Sequence, residues 1–266
     1  MNEITTHFGG KRLPFAKDIK PAKAIVTGPA QECRARLEYV KRHGGIMQLT
    51  GDAGCGKTLS LRCFADSLNE TLYRVIYTPL TTLSDTDLLR HINDKLGLKS
   101  RISKSVLYRQ IQQEILDSRE QQGKTIVLII DEAHLLRVPT LRQLRLLTNF
   151  KMDSYDPFIL ILAGQSDLKR VMEYAVLEPL AQRIAIRYQM APLQPEETAD
   201  YIRQQMKLAG FTEPIFGDDA LAAIHELSFG IPRKIGNMAM AALTYVMFDE
   251  RKHVSADDVV SVNKAD

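Results

Sequence analysis

Tryptophan is absent from this 266-residue sequence, and cysteine nearly so: only Cys33, Cys55 and Cys63 occur. Their spacing matches no zinc motif, and reduced thiols in a reducing compartment are expected. Long apolar runs are missing too. None approaches the ~20 residues that a membrane-spanning helix needs, and the N-terminal stretch MNEITTHFGGKRLPF lacks the apolar core of a signal peptide. A cytoplasmic protein with no membrane partner is therefore expected. Neither sign of charge dominates: 35 Lys and Arg stand against 32 Asp and Glu, a net +3. Overall charge does not announce a nucleic-acid binder, so any basic surface must be local.

What is present is ample apolar material, 45% of the residues, in a chain long enough for one large domain or a large and a small one. Internal repeats and low-complexity tracts are not found. Residues 1–30, rich in Gly, Pro and Lys, read as an extended N-terminal arm. Residues 31–42 have helical spacing through Leu37 and Val40. Short apolar runs then alternate with longer helical patterns. GIMQLTG (45–51), YRVIYT (73–78), TIVLIID (125–131) and FILILAG (158–164) read as strands, with IAIRYQM (184–190) as a last short one. Helices are predicted at 57–68, near 85–97 and 104–119, and at 139–150. The first four strands are apolar without alternation, as strands buried on both faces of a parallel sheet are. The order implies an α/β three-layer domain with a five-stranded parallel sheet over 31–192. Past Pro192 the pattern turns wholly helical, at 196–209, 218–228, 233–248 and 256–262, implying a small helical domain over 193–266. Ser255 with Asp258 three residues on has the form of a capping box before the last helix.

Gly51-Asp52-Ala53-Gly54-Cys55-Gly56-Lys57-Thr58 fits GxxxxGK[ST], between a predicted strand and a predicted helix that Leu59 continues. Small residues let successive backbone N–H groups curl round phosphates, and the helix N-terminus adds its positive dipole end. Lys57 can reach the β- and γ-phosphates of ATP, and the Thr58 hydroxyl can ligate Mg²⁺. The buried strand at 126–130 ends in two acids. Asp131 suits the Mg²⁺ shell, and Glu132 suits polarisation of an attacking water. With both acids present, the site reads as competent for hydrolysis rather than for binding alone.

Together these motifs, with DEAH at 131–134, resemble the AAA+ ATPases. More narrowly, the chain resembles the ExeA-like, TniB and MuB group, which includes transposition helpers of the TnsC kind. The resemblance runs through HFGGKRLPF (7–15), GDAGCGKT (51–58), LIIDEAH (128–134), LAGQSDL (162–168), LAQRIAIRY (180–188) and GIPRKIGNMA (230–239). It implies a helical lid domain of the AAA+ type and a homo-oligomer, ring or filament. It also implies roles for three further residues: Gln165 as first sensor, Arg233 as second sensor, and Arg183 as the arginine finger supplied to a neighbouring subunit, with Arg187 in reserve. An aromatic pore loop is not found. A long insert at 79–122 stands out instead. Its segment at 98–104 contains Lys99, Arg101 and Lys104 and no acid. Such residues suit contacts to a double-stranded DNA backbone, and DNA-loading relatives use this region so. The resemblance thus implies an ATP-dependent DNA-binding helper of a DDE-type transposase. Three alternatives stand beside it: an ExeA-like secretion or envelope-assembly ATPase, an initiator-type loader, and a nucleotide-gated scaffold without DNA. The ExeA-like family normally adds a membrane-spanning segment and a wall-binding domain; the sequence shows neither, which on this reading lowers the secretion alternative.

Overall fold

The computed structural model of the chain describes residues 3–16, 19–79, 84–99 and 102–265. Arg101 of the basic segment lies outside them. The elements follow in the order α1 (Glu3–Phe8), α2 (Gly28–His43), β1 (Gly45–Thr50), α3 (Lys57–Ser67), β2 (Tyr73–Thr78), α4 (Asp85–Lys95), α5 (Lys104–Glu120), β3 (Thr125–Ile130), α6 (Val138–Leu147), β4 (Ile159–Gly164), α7 (Asp167–Met172), α8 (Glu178–Ala181) and β5 (Ile184–Gln189). Helices α9 (Pro195–Leu208), α10 (Asp218–Ser228), α11 (Pro232–Phe248) and α12 (Ala256–Ala265) complete the chain.

The five strands form one parallel sheet in the order β2-β3-β4-β1-β5. The three inner strands are almost wholly buried, which is why TIVLII and ILILAG carry no alternation. The outer strands β2 and β5 mix buried with half-buried or exposed positions, and there polar residues such as Arg74 and Arg187 are tolerated. On one face Ile46, Leu128, Ile130, Leu160 and Leu162 join the apolar sides of α4, α5 and α6 through Leu89, Ile92, Leu107, Ile111, Leu141 and Leu144. Met47, Leu49, Val127, Ile129 and Ile161 point the other way by the period of a strand and are as deeply buried. The sheet is therefore covered on both sides, as the three-layer expectation requires.

Contacts divide the chain into two compact units. One is Cys33–Ala53 with Ser60–Met190; the other gathers Met1–Glu32, Gly54–Leu59 and Ala191–Asp266. The second unit, the helical lid, packs Ile202, Met206, Leu221, Ile224, Ile235, Leu243 and Val246 into one core. Two of its helices start on side-chain contacts. Gln194 and Glu197 form a capping box at α9 with Pro195 just inside. The carboxylate of Asp258 accepts both the N–H (2.9 Å) and the hydroxyl (2.8 Å) of Ser255 ahead of α12; of the expected capping box this supplies the half in which the third residue caps the first.

Three expectations need correction. Residues 1–30 are not a separate extended arm: they include α1 and the start of α2, and Ile4, Phe8, Leu13 and Phe15 enter the lid core. The backbone N–H groups of Lys11 and Arg12 donate to the Ala209 carbonyl at 2.9 and 3.2 Å, holding the segment in place. The short helices α7 and α8, between β4 and β5, are additional to those expected. The last helix runs to residue 265 rather than 262.

Candidate functional site

In a parallel sheet every strand ends on the same edge, where α/β proteins bind ligands. Here β3, β4 and β1 are adjacent, and Thr50 pairs in register with Gly164. The residues leaving these strands at that edge are Asp131, Gln165 and Gly51, three of the positions singled out from sequence. Asp131 is 2% exposed. One of its carboxylate oxygens accepts the Tyr77 hydroxyl at 2.9 Å, and the other accepts the Glu132 N–H at 3.0 Å. Burial first, and then the Asp131 charge, push the Tyr77 phenol well above its ordinary range, so it stays a donor and fixes the carboxylate's orientation.

Glu132 follows with φ 54° and ψ 34°, a left-handed conformation rare outside glycine and asparagine. Such a backbone costs on the order of 1 kcal/mol and turns the chain sharply off the strand end. Its side chain is 44% exposed, with one oxygen 3.5 Å from Nδ1 of His134. The same His134 nitrogen accepts the Gln165 N–H at 3.3 Å. The Ser166 hydroxyl, next along, donates to Asp52 of the phosphate loop at 3.4 Å. Tyr77 and His134 were not singled out from sequence, although His134 stood within the DEAH run.

The loop from Gly51 to Thr58 leads into α3, which begins at Lys57. Gly54 and Gly56 have φ of 89° and 105°, values an L-residue rarely adopts. Gly54 is needed for a second reason: a Cβ there would lie 2.6 Å from the Cβ of Arg233. Arg233 is set down on the loop by its own local sequence. Gly230 turns the chain at φ 67°, where a Cβ would strike the Leu193 carbonyl at 2.1 Å. Pro232 then starts α11, and the Arg233 N–H donates to the Gly54 carbonyl at 3.2 Å. Lys57 is buried, its Nζ 3.8 Å from the Cys55 thiol. Thr58, Asp52 and Ala53 are exposed, and Leu59 is half-buried. Backbone donors at a helix start with one buried ammonium suit phosphate. The Thr58 hydroxyl and the Asp131 carboxylate are each, by chemical type, a hard oxygen donor of the kind that Mg²⁺ takes.

Three of the remaining candidates, Arg183, Arg187 and Lys104, have partners of their own. Arg183 donates from one guanidinium nitrogen to the carbonyl (2.8 Å) and the hydroxyl (2.9 Å) of Thr148. Arg187 is exposed and donates to the Ala181 carbonyl. Lys99 is exposed. Lys104 is half-buried and ion-paired with Asp85, whose carboxyl its ammonium holds below the usual range. Among the described residues no group of three or more His, Cys, Asp or Glu is placed to hold a metal ion, and no helix is long and apolar enough to cross a membrane. All three cysteines are free thiols.

A family model described as an AAA domain matches residues 40–172. General secretion pathway protein A of Aeromonas hydrophila is 35% identical over 243 residues, covering 90% of this chain and 44% of that protein. The chain thus spans less than half the length of this curated relative. Among solved structures, Cdc6p of Pyrobaculum aerophilum superposes with a TM-score of 0.66 at 18% identity, over 98% of this chain and 70% of the other. The Drosophila ORC bound to DNA gives 0.71 at 14% identity, over 98% and 65%. The RuvB branch-migration motor of Thermotoga maritima gives 0.56 at 18% identity, over 89% and 68%. At such identities these likenesses establish the fold.

Proposed function

The chain belongs to the AAA domain family of P-loop nucleotide hydrolases, and from that premise we propose that it is an assembly-forming Mg²⁺-dependent ATPase that serves a secretion or envelope-assembly machine. The observation that carries the ATPase reading is the common edge from which Gly51, Asp131 and Gln165 leave three adjacent strands. In this reading Lys57 and the loop N–H groups hold the β- and γ-phosphates, while Arg233 and Gln165 contact the terminal phosphate. Thr58 and Asp131 would hold Mg²⁺, which supplies neutralisation of the charge that builds on the phosphate oxygens. Glu132 orients and polarises the attacking water.

The secretion reading is supported by the 35% identity to General secretion pathway protein A across 90% of the chain. Because that match spans 44% of the relative, the absence of further domains from this sequence is no argument against it. A transposase helper on double-stranded DNA remains the second reading, favoured by the basic segment at 98–104 with Lys99 exposed. Its support is thinner than the sequence suggested, since Lys104 is paired with Asp85.

Duplex-stimulated hydrolysis separates the two. The secretion reading expects ATP turnover to stay level when duplex DNA is added, at every point of a salt series. Stimulation that falls steeply with salt, as counterion release demands, and that disappears when Lys99, Arg101 and Lys104 are replaced by Ala, would restore the transposase-helper reading.

Arg183 is proposed as the residue that makes hydrolysis depend on assembly. Arg183→Ala should bind ATP like the parent and lose the rise of specific activity with protein concentration, a loss of ~10³-fold or more for an arginine finger. Mixing decides whether it acts on a neighbour. Arg183→Ala subunits, with Glu132 intact, should regain turnover beside Glu132→Gln subunits that bring the arginine. No recovery at any ratio would assign Arg183 to its Thr148 contacts alone, and Arg187 would be tested next.

A further inference from the structure

Glu132 and Gln165 have roles in the proposed hydrolysis; His134, packed between them, has none in it. Its side chain is 9% exposed, and the ring sits where β4 ends. A Cβ on Gly164 would come within 3.0 Å of the His134 backbone nitrogen and 3.2 Å of its Nδ1. The strand thus ends on a residue with no side chain at the point where the histidine needs room.

The chemistry lies in one atom with two claimants. The Gln165 N–H, 3.3 Å away, needs a lone pair on Nδ1. The Glu132 carboxylate, 3.5 Å away, needs a proton there. A ring nitrogen offers one or the other, never both. With the proton on Nε2, Nδ1 accepts from Gln165, and the Glu132 carboxylate is left to turn toward water. With the proton on Nδ1, the ring holds Glu132, and the Gln165 N–H at the strand end loses its acceptor. Leaving a half-buried N–H unmatched is unfavourable, so the two arrangements exclude each other.

We propose that His134 is a positioning residue for hydrolysis: through its single Nδ1 atom it ties the orientation of the Glu132 carboxylate to the backbone of Gln165. A free, water-directed Glu132 and an ordered start to the segment after β4 then occur together. This rests on the ATPase reading of the site, and it adds a coupling between the ends of β3 and β4 that the individual roles of Glu132 and Gln165 do not contain.

The test uses three variants of the full chain and two readouts, steady-state ATP turnover and ATP affinity by calorimetry, with melting temperature measured beside them. His134→Ala removes the ring; His134→Phe keeps its volume without a nitrogen; His134→Asn keeps an acceptor oxygen near the place of Nδ1 and adds a donor. Without a nitrogen there, Glu132 loses its tie and the Gln165 N–H its acceptor, so the segment after β4 loses its ordered start; misplacing a reacting or positioning group by about an ångström costs ~10²-fold in rate. The expected result is therefore a kcat lower by ~10- to 100-fold in the Ala and Phe variants, ATP affinity within about twofold of the parent, and recovery of most of the rate by Asn. If Ala melts too low to assay, the Phe and Asn pair decides. Parent-like kcat in Phe, an equal loss of affinity and rate, or Asn no faster than Phe at equal melting temperature would each overturn the proposal. A parent that does not hydrolyse ATP at all overturns the ATPase reading itself, a result distinct from an active parent whose His134 variants keep its rate.

Discussion

The Glu132→Gln protein is expected to bind ATP with the parent's affinity and to turn it over ~10²–10⁴-fold more slowly. The amide keeps the size and shape of the side chain and removes the charge that polarises water. The local geometry favours a clean result. Glu132 is 44% exposed at its side chain, so the change opens no cavity. The bond that organises the turn runs from the Glu132 backbone N–H to Asp131, which the substitution leaves intact. Because the left-handed backbone is set at the main chain, Gln inherits the same direction. Size-exclusion chromatography with ATP should show the assembled form persisting in the variant long after the parent has returned to its nucleotide-free state. Hydrolysis at the parent's rate would give the water-directing role to another residue.

Lys57→Ala is expected to lower ATP affinity on the order of 10²-fold. Hydrogen bonds to charged groups contribute ~1.5–3 kcal/mol each, and ~1.4 kcal/mol corresponds to a factor of ten. The lost group is a buried ammonium at the first position of α3, where backbone donors alone cannot supply the missing charge. Calorimetric titration with ATP measures the effect, and the melting temperature without nucleotide checks that the variant is folded. Equal affinity in variant and parent would remove the phosphate-loop assignment and the reading of Arg233 built upon it. The affinity loss separates this variant from Glu132→Gln: the first binds ATP weakly, the second binds it like the parent and turns it over slowly.

The parts of this site that could be read from sequence are those whose chemistry is contiguous. The eight residues from Gly51 to Thr58 carry their glycines, lysine and threonine in one run, and Asp131 with Glu132 closes an unbroken apolar strand. Sheet order is a different matter. β4 lies between β1 and β3, and nothing local in ILILAG announces its neighbours. Tyr77 escaped because its partner is distant along the chain, 54 positions away at Asp131; His134 has Glu132 close by, but the Gln165 N–H that gives its ring a second claimant lies 31 positions on. Lys104 misled for the same reason: the segment at 98–104 contains no acid, yet Asp85, 19 positions earlier, pairs with it. Helices α7 and α8, of six and four residues, are too short for a helical period to show. The composition of residues 1–30 hid Ile4, Phe8, Leu13 and Phe15, whose apolar partners lie beyond residue 190.

That last arrangement governs how the molecule comes into being. The lid is assembled from the first 32 residues and the last 76, with Gly54–Leu59 between them, and His7 meets the Arg251 carbonyl across 244 positions. During synthesis at ~5–20 residues per second, the helix at residues 3–8 waits on the order of tens of seconds for the residues that bury it. Meanwhile Cys33–Ala53 and Ser60–Met190 have already left the ribosome with most of the contacts they need. Closing so long a loop delays the lid more than it weakens it, because closure entropy grows only with the logarithm of length, whereas folding slows as contacts become more distant. Residues 3–8 thus stay exposed to chaperones and proteases until the segment from residue 191 onward has been made and can shelter them.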